Sequence, residues 1–367
     1  MLSNRYNRQI LLKGFGKKGQ DQLHQSKVLV IGAGGLGCPV LQILAASGIG
    51  HIGIVDNDRV SPDNLSRQIL YSPENMGHLK TQSAARYLQK LNPEIQIEEF
   101  PVRLSNKNAL EILKNFDILV DGTDNFESRY MINDAACLLG KPLVYGAVSE
   151  FEGQMAVWNL FKNGNQSINY RDAFPTPPHP GAFKNCNELG VLGVLTSIIG
   201  SMMAAETIKI ASEVGEPFIN RIWTYTLLNH RTYEFKIKPN PDSVKLIPKN
   251  EEAYLAMDYD SFCSVNPNKW MEISPDLVKE YMMEGNTLLL DVREPGELPQ
   301  FKDFEHKNIP LSEIEIRSNE IQADRIITFC YSGKRSLMAA QILNKILDTD
   351  KTIYSLEGGL LNWPQND

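Results

Sequence analysis

Between residues 27 and about 148, short apolar runs alternate with segments whose apolar residues recur every three or four positions. KVLVIG, HIGIVD, IQIEEFPV, DILVDG and PLVYGA have the length and β-branched content of buried strands. CPVLQILAASG, KTQSAARYLQKLN, SNKNALEILKNF and SRYMINDAACLLG have helical spacing, and two of them end on a glycine able to close the last turn. Strands alternating with helices predict α/β architecture: a Rossmann-like, doubly wound, mostly parallel sheet with its ligand crevice at the carboxyl ends of the strands. Then the pattern changes. GQMAVWNL, INRIWTYTLL and TYEFKIK read as an antiparallel extension, the last two forming a hairpin about Asn229 and His230. Residues 171–190 are proline-rich without apolar periodicity, a loop long enough to suggest function. A second, smaller α/β pattern runs from SPDLVKEYMMEG through NTLLLDVRE, RIITFC and SLMAAQILNKIL to KTIYSLEGG. The expected division is a first domain over 1–238, a proline- and charge-rich linker over 239–268 and a second domain over 269–367.

Composition narrows the classes. A net charge of -7 and no long basic run argue against direct nucleic-acid binding. The N-terminal MLSNRYNRQILLKG carries charges through its apolar patch and does not read as a signal peptide. Residues 189–205 are apolar but interrupted by Gly193 and Gly200, which predicts a buried helix and no membrane span. Five scattered cysteines (Cys38, Cys137, Cys186, Cys263 and Cys330) suit a cytoplasmic protein, in which a lone thiol can be a nucleophile.

VLVIGAGGLGCPV contains Gly32, Gly34, Gly35 and Gly37 in a G-x-G-x-x-G loop, and Asp56 follows where a ribose-binding carboxylate is expected. This reads as a phosphate cradle, with a ligand-free tight turn as the bland alternative. It does not choose between NAD and ATP, since both offer a ribose hydroxyl. The choice rests on its company: Arg5 and Arg8 near the N-terminus, Asp58, Asn64, Arg67 and Gln68 after the second strand, Lys80 opening a helix, and Asp124 and Asn125 after the fourth strand. Singly, each charge is a solvated surface group. Together they suit a triphosphate with a carboxylate holding Mg²⁺. A hydride-transfer site needs none of them, so an NAD-dependent oxidoreductase stands as the rival reading.

RYNRQI, GAGGLG, VDND, N-L-x-R-Q at 64–68, G-x-x-K ending at Lys80, and TDN at 123–125 resemble the MoeB/ThiF adenylyltransferases, relatives of ubiquitin-activating enzymes. The resemblance covers residues 1–238. It implies MgATP-dependent adenylation of the C-terminal Gly-Gly carboxylate of a ubiquitin-like sulfur carrier, with pyrophosphate released. It assigns Gly32, Gly34, Gly35, Asp56, Asp58, Asn64, Arg67, Gln68 and Lys80 to ATP, Asp124 to Mg²⁺ with Asn125 beside it, and Arg8 to a finger reaching across a homodimer. Cys186, in KNCNELG, reads either as a thiol activated at a helix N-terminus or as a buried structural cysteine; the resemblance implies that it can attack the acyl adenylate, giving a thioester or, with a persulfide donor, an acyl disulfide. A non-catalytic module binding Gly-Gly tails is the alternative that would need neither Arg8, Lys80 nor Asp124. Many such relatives hold zinc with two C-x-x-C pairs. Here the matching stretches are NYRD at 169–172 and SVKL at 243–246, so no zinc is expected.

CYSGKRS at 330–336 lies between an apolar strand and a helix. Such a loop can aim N–H groups, Lys334, Arg335 and the helix dipole at the Cys330 sulfur, favouring a thiolate or persulfide anion. With DVREPGE at 291–297, IPL at 309–311 and LEGGLLNW at 356–363, it resembles a rhodanese; the loop is one residue shorter than the C-x₅-R cradle of phosphatases. The resemblance makes Cys330 the catalytic sulfur carrier and Tyr331, Ser332, Gly333, Lys334 and Arg335 its persulfide loop. Sulfur would come from a donor such as a cysteine desulfurase and leave as the carrier thiocarboxylate. Carriers for molybdopterin, thiamine and tRNA thiolation all end in Gly-Gly, so the pathway stays open.

Overall fold

The computed structural model describes residues 4–162, 165–177, 190–264, 270–347 and 351–364. They form two compact units, Met1–Cys263 and Ser264–Asp367.

In the first unit, β1 (Lys27–Ile31), β2 (His51–Val55), β3 (Gln96–Phe100), β4 (Ile118–Asp121) and β5 (Leu143–Ser149) lie in the order β5-β4-β1-β2-β3, all parallel. β4 is buried along its whole length and β1 at every residue but its first, because helices cover both faces; this is why they read as unbroken apolar runs. The helices Gly37–Ser47 and Phe126–Leu139 end on Gly48 and Gly140 in the left-handed conformation, the predicted caps. SNKNALEILKNF keeps only Ala109–Leu113 as helix. Asn108 accepts the Ser105 N–H at 2.8 Å and donates to the Arg103 carbonyl at 3.0 Å, so its amide replaces the first helical turn.

The antiparallel extension is present. β6 (Glu152–Trp158) pairs with β5, β9 (Arg221–Thr226) with β6, and β10 (Thr232–Lys236) forms the exposed edge; β7 (Phe161–Lys162) and β8 (Asn165–Gln166) make a small separate hairpin. The Gly193–Ser212 helix is apolar and long enough to cross a membrane. Leu195, Ile199, Met203 and Ala204 lie on it within the core cluster that also holds Met155 and Val157 of β6.

Residues 243–263 correct the expected linker. They form the helices Ser243–Leu246, Glu251–Ala256 and Tyr259–Ser264, and Tyr254 and Tyr259 enter the core of the first unit. Tyr259 Oη donates to Asp134 at 2.9 Å, and Asp134 forms a bidentate pair with Arg171, both of its contacts 2.7 Å; both pair members are fully buried. Proline and charge hid this segment, since its anchors are a few aromatics without regular spacing.

The second unit is a five-stranded parallel sheet, ordered β11 (Trp270–Ile273), β15 (Thr352–Leu356), β14 (Arg325–Phe329), β12 (Thr287–Asp291), β13 (Lys307–Asn308). The Pro275–Glu284 helix starts at the Ser274 cap, and Lys334–Ile346 follows β14.

Candidate functional site

The glycine loop joins β1 to the Gly37–Ser47 helix in the least possible space. Gly32 has φ +90°, and a Cβ on Gly37 would stand 1.9 Å from the Gly32 carbonyl oxygen, so both positions require glycine. Asp56, just past β2, braces the turn: its carboxylate accepts the Ala33 and Asp58 N–H groups, each at 2.8 Å. Burial pushes its carboxyl pKa up. Tyr71 Oη closes the far side by donating to the Ala33 carbonyl at 2.8 Å.

Lys80 opens the Lys80–Leu91 helix, is 5% exposed, and extends its ammonium to Asp58 at 2.8 Å. Asn64 is buried in a turn where its side chain accepts the Ser61 N–H, and Arg67 donates to the Asp63 carbonyl at 3.0 Å. At the end of β4, the buried Asp121 accepts from the Thr123 N–H and hydroxyl and so fixes the chain before Asp124. Asn125 caps the Phe126–Leu139 helix by accepting the Ser128 N–H at 2.9 Å, while Asp124 is exposed.

These pieces converge. Gly32, Gly34, Gly35, Asp56, Asp58, Asn64, Arg67, Gln68, Lys80, Asp124 and Asn125 all line one cavity of about 530 Å³. Its wall also includes Arg103, Ser128, Arg129 and Thr196, which the sequence reading passed over. Arg129 sits four residues after the Asn125 cap, a spacing that could have flagged it; its guanidinium lies over the rings of Phe126 and Tyr145. Arg103 and Thr196 reach the site only through the fold. Four basic side chains facing four carboxylates, Asp63 included, fit a ligand carrying both polyanionic and ribose groups. Arg8 lies exposed on the Asn7–Ile10 helix and is not part of this wall. Cys186 falls outside the described residues.

In the second unit, Cys330 directly follows β14 and is 1% exposed. Its Sγ accepts the Ser336 N–H at 3.4 Å and lies 3.6 Å from Ser336 Oγ, at the start of the Lys334–Ile346 helix. Gly333 turns the loop into that helix with φ +83°. The LEGGLL segment supports the loop, as Leu360 and Leu361 donate to the carbonyls of Cys330 and Tyr331 at 2.9 and 3.0 Å. Lys334 is exposed, whereas Arg335 is held by Glu297. Asp291 and Arg293 of DVRE are buried and bind each other.

The stretches matched to zinc ligands hold oxygen and nitrogen groups. Asp172 accepts from the Asn169 N–H at 2.8 Å and, with its other oxygen, from Asn240 N–H at 2.8 Å and Ser243 Oγ at 2.6 Å. Leu246 completes the set with no donor atom. These residues do not fit a four-thiolate zinc site, and no group of three or more His, Cys, Asp and Glu gathers for a metal among the described residues.

A doubly wound α/β crevice around a glycine loop, followed by a separate unit with a buried cysteine between a strand and a helix, defines a two-part chain. Residues 6–246 match the ThiF family and residues 274–366 the rhodanese-like domain. The chain belongs to the ThiF family and carries a C-terminal rhodanese-like domain. It is 44% identical to a sulfur carrier protein adenylyltransferase of Thermus thermophilus, over 71% of this chain and 97% of that one. Over almost its whole length it is similar to a probable adenylyltransferase/sulfurtransferase MoeZ of Mycobacterium tuberculosis, at 36% identity over 98% of this chain and 92% of that one. The adenylyltransferase and sulfurtransferase MOCS3 of Arabidopsis thaliana is 38% identical over 99% and 83%. The crystal structure of Escherichia coli MccB with ATP shares the fold, with a TM-score of 0.56 and 24% identity over 65% of this chain and 73% of that one. The chain is thus an adenylyltransferase with a sulfurtransferase domain.

Proposed function

We propose that the first unit adenylates the C-terminal Gly-Gly carboxylate of a ubiquitin-like sulfur carrier and that the second supplies sulfur from a Cys330 persulfide. The supporting observation is the convergence of Asp56, Asn64, Arg67, Gln68, Lys80, Asp124 and Asn125 on one cavity around the glycine loop. A carrier carboxylate oxygen attacks the α-phosphorus of ATP, the bond to the bridging oxygen breaks, and pyrophosphate leaves with the electron pair. Two anions must be brought together, so charge neutralisation and positioning carry the catalysis. Arg67 and Lys80 face the phosphates, and Asp56 takes the ribose hydroxyls. Asp124 would hold Mg²⁺, which supplies charge neutralisation to the phosphates when bound.

Arg8, exposed and away from this chain's own cavity, is assigned to the site of a second subunit in a homodimer. Cys186 is the proposed relay thiol: its attack on the acyl adenylate would expel AMP and hold the carrier as a thioester. The terminal sulfur of a Cys330 persulfide, itself charged by a donor such as a cysteine desulfurase, attacks that thioester carbonyl and expels the Cys186 thiolate, leaving an acyl disulfide on Cys330. A second thiol then attacks the Cys330-side sulfur, forms a disulfide with it, and the thiocarboxylate leaves with the electron pair. No zinc takes part in this scheme.

Asp124→Ala is expected to abolish carrier-dependent exchange of pyrophosphate into ATP while leaving the circular-dichroism spectrum and unfolding midpoint unchanged. Exchange at near wild-type rate would remove the Mg²⁺ assignment. Intact-mass analysis of candidate carriers after incubation with MgATP and a sulfur source identifies the partner, through exchange of one oxygen atom for sulfur.

A further inference from the structure

The cations of the Cys330 loop are unequally placed. Lys334 is exposed to solvent, while Arg335 is bound at both ends of its fork by the Glu297 carboxylate, with Nη1 at 2.9 Å and Nη2 at 2.5 Å. The hydrogen bond from Arg335 holds the Glu297 carboxyl below its ordinary range, so the clamp is ionised at neutral pH. A bidentate pair of this kind takes two of the guanidinium's five N–H donors and offsets part of its charge.

The clamp is itself held in place. Arg293, 3% exposed, is gripped by Asp291 and donates Nη1 to the Pro299 carbonyl at 2.8 Å. The Glu297 N–H donates to the Glu294 carbonyl at 3.2 Å. The turn carrying Glu297 is therefore anchored from below by a buried ion pair. Beside the cysteine loop, Leu298, Pro299 and Tyr331, with Gln300 and Lys302, line a shallow open depression. Lys302 is exposed like Lys334, and an exposed ammonium contributes little to holding an anion.

We propose that Glu297, by engaging Arg335, makes the Cys330 loop select a persulfide borne on an organic thiol and discriminate against free dianions such as thiosulfate. The inference rests on the reading of Cys330 as a persulfide carrier and names its donor class. With a thiol-borne donor R–S–SH, the Cys330 thiolate attacks the outer sulfur. The donor S–S bond breaks, RS⁻ leaves with the electron pair, and Cys330 gains one sulfur; no outside oxidant or reductant enters. Leu298, Pro299 and Tyr331 can accept the carbon part of R. With thiosulfate the leaving group is the sulfite dianion, whose charge needs a cation beside the loop, and Arg335 is already engaged. Glu297 acts as a positioning residue.

The test compares full-length wild type, Glu297→Gln and Glu297→Asp with thiosulfate and with glutathione persulfide, using cyanide as acceptor. Glu297→Gln should lower the ratio of thiosulfate KM to persulfide KM about tenfold, the worth of one freed charge-assisted hydrogen bond. Glu297→Asp keeps the charge and should leave the ratio near that of wild type. An unchanged ratio in Glu297→Gln, or equal loss of both donors, would overturn the proposal and leave Glu297 a structural part. Intact mass of wild type after persulfide treatment separates the two readings. Failure to gain one sulfur atom on Cys330 ends both, whereas normal loading with an unmoved ratio ends only the donor selection.

Discussion

Asp56 carries two duties on one carboxylate. It accepts the Ala33 and Asp58 N–H groups, which sets the shape of the glycine loop, and its remaining lone pairs are the proposed ribose acceptors. Burial raises its carboxyl pKa above the ordinary 3.8. The folded state therefore holds a proton on Asp56 to higher pH than the unfolded chain does. The cost of ionising it in the fold grows as pH rises from 3.8 through the raised value. Nucleotide binding needs the ionised form. Affinity for ATP should consequently fall as pH drops through a midpoint above 3.8, and this titration should be missing in Asp56→Asn. Fluorescence titrations across the acid range decide it; a midpoint at or below the ordinary carboxylate value would contradict the buried environment. At this scale most of the charged side chains of the cavity wall were legible, because Asp56, Lys80 and Asp124 stand at strand ends and helix starts that hydropathy alone locates. Arg103 and Thr196 were not, since one follows an edge strand and the other belongs to a helix that starts more than forty positions after β5.

At the scale of elements, the Tyr170–Ala173 turn and the Ser243–Leu246 helix are joined by the Asp172 carboxylate, which accepts from Asn169, Asn240 and Ser243. Ser243 is fully buried. This is an ionic hydrogen-bond knot made of residues that look, in the sequence, like ordinary turn formers. Ser243→Ala should cost about 1.5–3 kcal/mol, the range for a hydrogen bond to a charged group. Asp172→Ala should cost more, because it leaves buried donors without an acceptor. Urea unfolding gives both values. Treatment with a chelator should leave the wild-type midpoint unchanged, and a clear fall on chelation would mean that a metal crosslinks these segments. The truncated Ala109–Leu113 helix teaches the same lesson: apolar spacing marked the helix, but the Asn108 amide chose its start.

At the scale of the whole molecule, the chain between the two chemical units is mostly part of the first. Tyr254 and Tyr259 are buried, and the Tyr259 hydroxyl donates to Asp134 within the buried Asp134–Arg171 pair. A buried pair deprived of a supporting hydrogen bond loses part of what offsets its desolvation. A protein ending at residue 242 should therefore be less stable than one ending at 264. Two tyrosines at roughly 1.5–3 kcal/mol each set the scale, lowering the thermal midpoint by several degrees or more. Carrier-dependent pyrophosphate exchange at elevated temperature should fail first in the shorter protein. Equal stability would restore the segment to the role of a free tether.

The sequence by itself determined the strand and helix alternation, the glycine turn, the residues at the strand ends and the cysteine loop, because each depends on local periodicity, on positive φ or on contiguous motif spacing. Only the tertiary structure decided which charges meet. Arg129 and Arg103 join the nucleotide cavity, Glu297 takes Arg335, Asp172 takes Ser243, and Tyr259 reaches Asp134. Partners so far apart in the chain leave no period to read. Where the partners are fully buried, as in the Asp134–Arg171 pair that Tyr259 reaches, an unpaired charge is too costly to keep.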